Sequence, residues 1–255
     1  MTGEGTEGWW GVVNPGAGSR TDALDRVHQV LAWRKVKAEL NPTDHGSHLL
    51  ELVDQGVEKG FSRFLAVGGD GTVNLVVNAL LQSEWGSPPT IGVLPSGTGC
   101  DLIRTFGISQ DLEEAASHLV GTETAPLDAV RLRGPWGERL FVNSAGCGLT
   151  AGVVEQVDRL PSWMGAFRYQ LGIWPALIKH PHAQAEVTCG KRWFEGDALM
   201  IVLSNARFLG GGMKMAPHAD PADGEVNVQV FHGPKWLALK LKPMVQRGKH
   251  LDHPN

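Results

Sequence analysis

Three glycine-rich breaks, each directly after a short apolar run, most constrain what the first half of this chain can fold into. The apolar runs are typical of buried strands, and the spacing of apolar residues after the breaks predicts strand–loop–helix units. This alternation favours a mostly parallel sheet with helices on both faces. The breaks are NPGAGS at 14–19, GGDGT at 68–72 and PSGTG at 95–99.

The pattern changes near Pro126, after which short strands replace the strand–helix pairs. A single long helix over Gly152–Lys179 is the only interruption that we expect among these strands. We therefore predict an N-terminal Rossmann-like, three-layer α/β domain over 1–125 and a β-rich, sandwich-like domain over 126–232. A helical C-terminal tail follows over 233–255.

Composition excludes several classes of function. The 255 residues carry 23 Lys and Arg against 27 Asp and Glu, and this net charge of −4 argues against a dedicated nucleic-acid binder. Cys100, Cys147 and Cys189 show no CxxC spacing, which favours a reducing cytoplasm over a disulfide framework or a zinc site. The sequence shows neither a signal peptide nor a transmembrane helix, so we expect a soluble cytoplasmic protein with peripheral membrane contact left open.

The GGDGT break carries the clearest chemistry. Gly68, Gly69 and Gly71 let the backbone approach a ligand, and a helix predicted from Val73 points its positive end at the same place. Asp70 would repel a bare phosphate and therefore indicates a bridging cation such as Mg²⁺. A glycine turn without ligand is the alternative, but three such loops at one edge of a sheet favour a phosphate site. The chain has neither the P-loop lysine motif nor the dinucleotide fingerprint.

These blocks resemble the diacylglycerol kinase catalytic family, which includes bacterial lipid kinases and is related to sphingosine and ceramide kinases and, more distantly, to NAD kinases. In chain order they are NPGAG at 14–18, GGDGTVN at 68–74, LPSGTG at 94–99, FVNSAGCG at 141–148, GGGM at 210–213 and DGEV at 223–226. The resemblance implies that one set of residues binds ATP: Asn14, Gly16, Thr43, Gly68, Gly69, Asp70, Gly71, Thr72, Val73, Asn74, Ser96, Gly97 and Thr98.

The resemblance also implies a catalytic acidic network around Mg²⁺, formed by Asp70, Asp101 and Asp128. Mg²⁺ prefers hard oxygen ligands and keeps several waters, so carboxylates from separate loops suffice. Taken alone, Asp101 is interpreted as a helix N-cap and Asp128 as a residue of a solvated turn.

A second acidic cluster surrounds a proline and a glycine near the end of the β-rich half. Its carboxylates, Asp220, Asp223 and Glu225, lie within six residues and can curl about a cation, so they are the candidate metal ligands. Asp223-Gly224 is also a strong hairpin-turn signal, and the two interpretations are compatible.

The chain departs from the family in three places. Leu75 stands where the family has Glu, and Cys100 stands where it has Asn, which removes hydrogen-bonding groups near the nucleotide. The family also continues beyond the block that ends here at His250 into a further Asp-Gly-Glu segment, which supplies the proposed general base. We therefore expect a truncated C-terminus, and the sequence names no residue for that base.

The predicted long helix carries apolar side chains at helical spacing. Core packing is one interpretation of this pattern. An interfacial helix that helps the protein reach a bilayer is the other, since tryptophan suits that boundary. The residues are Trp163, Met164, Phe167, Leu171, Trp174, Leu177 and Ile178.

Together these observations predict a cytoplasmic lipid kinase that uses ATP and Mg²⁺ to phosphorylate a lipid hydroxyl, with diacylglycerol converted to phosphatidic acid as the favoured reaction. Two alternatives stay open. One is a kinase for a sphingoid base or NAD, and the other is a weakly catalytic relative that binds nucleotide or lipid. The expected partners are a lipid substrate and a membrane surface, not nucleic acid. The oligomeric state, a homodimer included, stays open.

Overall fold

A computed structural model of the chain describes residues 7–15, 23–44, 46–96, 100–161, 167–251 and 253. The chain divides into two compact units, Met1–Pro126 and Leu127–Asn255, of similar size. None of the helices among the described residues has both the length and the apolar character needed to cross a bilayer.

A four-stranded parallel sheet forms the centre of the first unit, in the order β2-β1-β3-β4. All five residues of β1 are buried, as expected for a central strand covered on both faces. The strands are β1 (Trp9–Val13), β2 (Ala38–Pro42), β3 (Arg63–Gly68) and β4 (Thr90–Pro95).

Helices cover both faces of this sheet, because neighbouring residues of a strand point in opposite directions. Trp9 belongs to a buried cluster with residues of α1 and α5, whereas the Trp10 indole N–H donates to the Leu52 carbonyl oxygen of α2 at 2.7 Å. The predicted three-layer α/β architecture is therefore confirmed. The helices are α1 (Ala23–Trp33), α2 (Gly46–Glu58), α3 (Asp70–Leu80), α4 (Asp101–Thr105) and α5 (Leu112–Ala115), and a 3-10 turn follows at Ala116–Leu119.

The start of α3 differs from the prediction of a helix from Val73. The helix begins at Asp70, with Gly69 as an extended N-cap residue, so most of the GGDGT segment is the first turn of a helix and not a loop. An aspartate in the first turn is favoured by the helix dipole, which explains why the helix extends this far.

The second unit is built on antiparallel strands, which confirms the β-rich prediction. β9 is its central strand and pairs with β7, β8 and β10, while β5 and β6 form a separate hairpin. The strands are β5 (Val130–Gly134), β6 (Gly137–Phe141), β7 (Ser144–Gly148), β8 (Ala183–Cys189), β9 (Arg192–Ser204) and β10 (Asn227–His232).

The prediction of one long helix over Gly152–Lys179 is wrong. Two helices occupy this region, α6 (Leu149–Asp158) and α7 (Phe167–Lys179), and they pack against each other. Pro161, just after the end of α6, lacks the N–H that would continue the helix. Gly172 allows the close packing, because a Cβ there would lie 2.8 Å from Val157 Cγ2. Trp163 and Met164 lie outside the described residues.

The predicted C-terminal tail contains one helix, α8 (Lys235–Gln246), which packs into the core of the second unit. Leu237, Leu241 and Val245 repeat at helical spacing and are all buried against Val202 and Met215. Helix α8 is therefore part of the core of the second unit.

His250 follows α8 and is 5% exposed, with its ring stacked on Phe231 at a centroid distance of 6.0 Å. Desolvation by burial lowers the pKa of its imidazole and outweighs the opposite effect of a backbone hydrogen bond at Met215. The unfolded chain therefore binds a proton at His250 at a higher pH than the folded chain does. Stability is lost as the pH falls through this interval.

We expect the free energy of unfolding of the wild-type chain to decrease on acidification from about pH 7 to about pH 5. The His250→Gln variant should show a shallower decrease, because glutamine does not titrate. Urea unfolding at several pH values measures both slopes. Equal slopes for the two proteins would show that His250 does not couple protonation to folding.

Candidate functional site

The four strands of the parallel sheet end at one edge, and the residues just after them include four predicted nucleotide-binding positions. Backbone hydrogen bonds join these strand ends in order across the edge. The Thr43 N–H donates to Val13 O at 2.8 Å, the Asn14 N–H to Val67 O at 3.0 Å and the Ser96 N–H to Gly68 O at 3.2 Å. The sheet therefore holds the starts of the loops in fixed relative positions, as a ligand site at a parallel sheet edge requires.

Side chains connect two of these loops as well. Asn14 Nδ2 donates to Thr72 Oγ1 at 3.2 Å, and Thr72 is buried. A Cβ at Gly68 would lie 2.3 Å from the same Thr72 hydroxyl oxygen, so only glycine leaves room for this arrangement. The close packing of Gly68 against Thr72 thus fixes the position of the first turn of α3.

The amino end of α3 is exposed at Gly71. Gly69 at the N-cap provides no side-chain hydrogen bond to the first turn, and a Cβ on Gly71 would meet no atom of the described residues within 4 Å. The first N–H groups of a helix lack intrahelical partners, and its dipole places partial positive charge there. This helix end can therefore accept a phosphate group.

Val73 and Asn74, two further predicted ATP-binding residues, lie within helix α3. Val73 is fully buried, and its N–H donates to the Gly69 carbonyl oxygen at 3.1 Å, within the helix. The Asn74 carbonyl oxygen accepts a hydrogen bond from Asn78 Nδ2 at 2.7 Å. The predicted contacts Gly16, Gly97 and Thr98 lie outside the described residues.

Asp70 joins the second loop to the third through backbone amides. Its Oδ2 accepts from the Asp101 N–H at 2.8 Å, and its Oδ1 accepts from the Leu102 N–H at 2.9 Å. These are the first two amides of α4, so Asp70 caps that helix from 31 residues away. The sequence indicated a cation beside Asp70, and in this structure its carboxylate contacts the amino end of α4.

Asp101 is the first residue of α4, and Cys100 is the N-cap, so the N-cap interpretation of Asp101 is wrong. Asp101 is 5% exposed, and its Oδ1 lies 3.2 Å from Arg104 Nε. Asp70 and Asp101 are therefore neighbours, and Arg104 balances part of the charge of Asp101. The i,i+3 spacing of Asp101 and Arg104 is a sequence signal for this ion pair that the prediction did not use.

Cys100, which replaces the family's asparagine, is fully buried. Its Sγ lies 3.5 Å from Asp70 Oδ1, and burial, reinforced by the Asp70 charge, raises the pKa of the thiol far above its usual range. Gln110 pairs with the Cys100 backbone in both directions, through Oε1 to the N–H and through Nε2 to the carbonyl oxygen, each at 2.9 Å. Cys100 is thus a neutral packing residue, and the Gln110 amide, which sequence reasoning missed, fixes its position.

Asp128 lies in the second unit, where it holds the Asp-Gly turn. Its Oδ2 accepts from the Gly224 N–H at 2.7 Å, and its own N–H donates to the Pro221 carbonyl oxygen at 2.7 Å. Asn205, 1% exposed, donates through Nδ2 to the Asp128 carbonyl oxygen at 2.9 Å. Nothing in the sequence pattern marks Asn205, because its role depends on contacts with residues far away along the chain.

The three candidate metal ligands of the second unit form turns. Asp220 Oδ1 accepts from the Ala222 N–H at 3.1 Å, and Asp223 Oδ1 accepts from the Glu225 N–H at 2.9 Å. Among the residues that the structure describes, no three His, Cys, Asp or Glu side chains are grouped where they could hold a metal ion. The turn interpretation matches these contacts, and the metal-ligand role stays a prediction.

Two family models match the chain in succession. The diacylglycerol kinase catalytic domain matches residues 9–132, and the YegS C-terminal NAD kinase beta sandwich-like domain matches residues 143–255. The chain is 28% identical over 232 residues to the probable lipid kinase YegS of Salmonella heidelberg, covering 90% of this chain and 72% of that protein. It is 29% identical over 219 residues to a probable lipid kinase YegS-like protein of Klebsiella pneumoniae, covering 86% and 68%.

The fold is also similar to a solved structure. A diacylglycerol kinase from Bacillus anthracis superposes with a TM-score of 0.69 at 23% identity, over 92% of this chain and 79% of that one. This similarity shows that both chains have the same fold. The chain thus matches a diacylglycerol kinase catalytic domain followed by a YegS C-terminal domain, is similar to probable lipid kinases along most of its length, and is a lipid kinase.

Proposed function

We propose that this lipid kinase transfers the γ-phosphoryl group of ATP to the free hydroxyl of diacylglycerol and so forms phosphatidic acid. The observation that carries the proposal is the amino end of α3, where the N-cap residue Gly69 has no side chain to cap the first turn and Gly71 is exposed. A phosphate chain is the ligand that such a helix end favours. ATP is the phosphate donor that membership of a kinase family implies.

The residues of this site fall into two groups. The amides of Gly69 and of the first turn of α3, with Ser96 on the neighbouring loop, contact the phosphates, while Asp70 and Asp101 hold the second and third loops together. Phosphoryl transfer depends mainly on positioning and on neutralisation of charge, so a fixed set of amides suits the reaction. In this proposal the second unit, around Asp128, receives the lipid.

The carboxylates of Asp70 and Asp101 already have protein partners in the structure, so they do not form a preformed site for Mg²⁺. Both oxygens of Asp70 accept backbone hydrogen bonds, and Asp101 is paired with Arg104. We therefore treat Mg²⁺ as part of the MgATP substrate. The proposed reaction takes place in the cytoplasm, where ATP is available, on a lipid that resides in a membrane.

A labelled-ATP assay tests this function. The purified chain is incubated with Mg²⁺ and γ-labelled ATP in mixed micelles that contain diacylglycerol or sphingosine, and in a third reaction with soluble NAD. We expect label in phosphatidic acid and little in the other two products. Faster labelling of sphingosine or NAD would overturn the choice of substrate. ATP binding without transfer to any acceptor would overturn the proposed reaction.

A further inference from the structure

Helix α7 exposes two large apolar side chains near its end and buries others. Ala176 and Leu177 are buried in a core cluster of the second unit, as the core interpretation of this helix requires. Trp174 and Ile178 lie one turn apart on the other side and are 51% and 77% exposed. An apolar helix of this kind favours contact with an apolar phase on its exposed side.

The beginning of α8 lies beside the end of α7. Lys235 Nζ donates to the Ile178 carbonyl oxygen at 3.0 Å, and Ala238 packs against the cluster that contains Ala176 and Leu177. Trp236, next to Lys235, is 62% exposed. We call Trp174, Ile178 and Trp236 the helix-end patch.

The two segments that carry the helix-end patch are rich in basic residues. The segments 167–182 and 233–250 contain seven of the chain's 23 Lys and Arg and none of its 27 Asp and Glu. Lys179 and Lys240 are both exposed. The rest of the chain therefore has many more Asp and Glu than Lys and Arg. Basic residues without acidic neighbours in sequence are concentrated in the two segments that carry the patch.

We propose that the helix-end patch docks on an anionic membrane surface and brings the kinase to its lipid substrate. Tryptophan and isoleucine side chains next to lysines match the boundary between acyl chains and negatively charged headgroups. A partner protein would not by itself require both an apolar stripe and an excess of one charge. The proposal deepens the proposed function and rests on it for the identity of the substrate, while vesicle binding can be measured without any catalysis.

Vesicle sedimentation of the full chain, without ATP, tests the docking surface. We expect the wild-type chain to bind vesicles of phosphatidylcholine with phosphatidylglycerol more tightly than vesicles of phosphatidylcholine alone. Added salt should weaken the binding, because it screens the lysine charges. Trp174→Ser with Ile178→Ser should lower affinity for the anionic vesicles by at least about tenfold, because the variant loses two apolar side chains that would enter the membrane.

Two matched controls replace exposed tryptophans elsewhere. Trp33→Ser changes a 69% exposed tryptophan that is followed by Arg34 and Lys35, and Trp193→Ser changes a 71% exposed tryptophan near the start of β9. Both controls should bind vesicles as the wild-type chain does. The double variant should still phosphorylate a dispersed short-chain diacylglycerol at the wild-type rate, which shows that it is folded.

Several results would overturn the proposal. These are unchanged vesicle binding by the folded double variant, a larger loss in Trp193→Ser, or a concentration-dependent dimer that the double variant abolishes in the absence of lipid. Patch-dependent vesicle binding by a chain without kinase activity on diacylglycerol would support the docking surface and overturn the proposed function. The two ideas can therefore fail separately.

Discussion

Replacing Asp70 with alanine is expected to lower the rate of phosphoryl transfer by about 100-fold, because the variant loses two charge-assisted hydrogen bonds that join the second loop to α4. The same loss leaves the buried Asp101 and Leu102 amides without their acceptor and should lower the free energy of unfolding by about 3 kcal/mol. Initial rates with labelled ATP and urea unfolding measure the two effects. Asp70→Asn keeps one oxygen acceptor and should fall between the wild type and the alanine variant.

Asp111→Ala is the matched control for this experiment. Asp111 caps α5 through hydrogen bonds from the Glu113 and Glu114 amides at 2.9 and 3.0 Å, but it lies on an exposed surface. The Asp111→Ala variant should lose about 1 kcal/mol in its free energy of unfolding and keep its kinase activity. If Asp70→Ala and Asp111→Ala lost the same fraction of activity, the activity loss would reflect stability alone and the proposed role of Asp70 would be wrong.

Gly71→Ala is expected to raise the KM for ATP by about tenfold or more while the protein stays folded. The added methyl group meets no described atom, so it projects into the space that the phosphates would occupy. Alanine is also a better helix former than glycine, so the free energy of unfolding should stay level or rise by about 0.5–1 kcal/mol. ATP titrations of initial rate, together with urea unfolding, measure both quantities.

Gly68→Ala, in contrast, should lower the stability of the protein. Its Cβ would lie 2.3 Å from Thr72 Oγ1, so the variant should lose about 1–3 kcal/mol of stability through overpacking. The pair of variants separates a glycine needed for packing from a glycine needed for a ligand. A wild-type KM for ATP in Gly71→Ala would remove the amino end of α3 from the proposed phosphate site.

The architecture of both units could be predicted from the sequence, because it depends on local patterns. The apolar runs of β1, β3 and β4 and the glycine breaks after them determine a parallel sheet with loops at one edge. The short alternating strands after Pro126 likewise predict the antiparallel half. Helix ends were less predictable. Pro161 follows the end of α6, whereas Pro175 lies inside α7, so proline alone does not decide where a helix ends.

The partners of the site residues could not be predicted from the sequence, because they come from distant parts of the chain. The pattern marked Asp70 as important and suggested a cation beside it, but in the structure its oxygens accept amides from α4. The same holds for Asp128, whose carboxylate holds a turn 96 residues away. Carboxylates suit metal ions and backbone amides equally well, and only the folded chain distinguishes the two.

The cap that Asp70 provides for α4 also has a consequence for the order of folding. A helix of five residues is too short to persist by itself, so α4 cannot form before β3 and β4 bring its acceptor into place. Hydrogen exchange at the Asp101 and Leu102 amides therefore reports on the integrity of the sheet, although neither residue belongs to a strand. Protection of these two amides should appear and disappear together with that of β4.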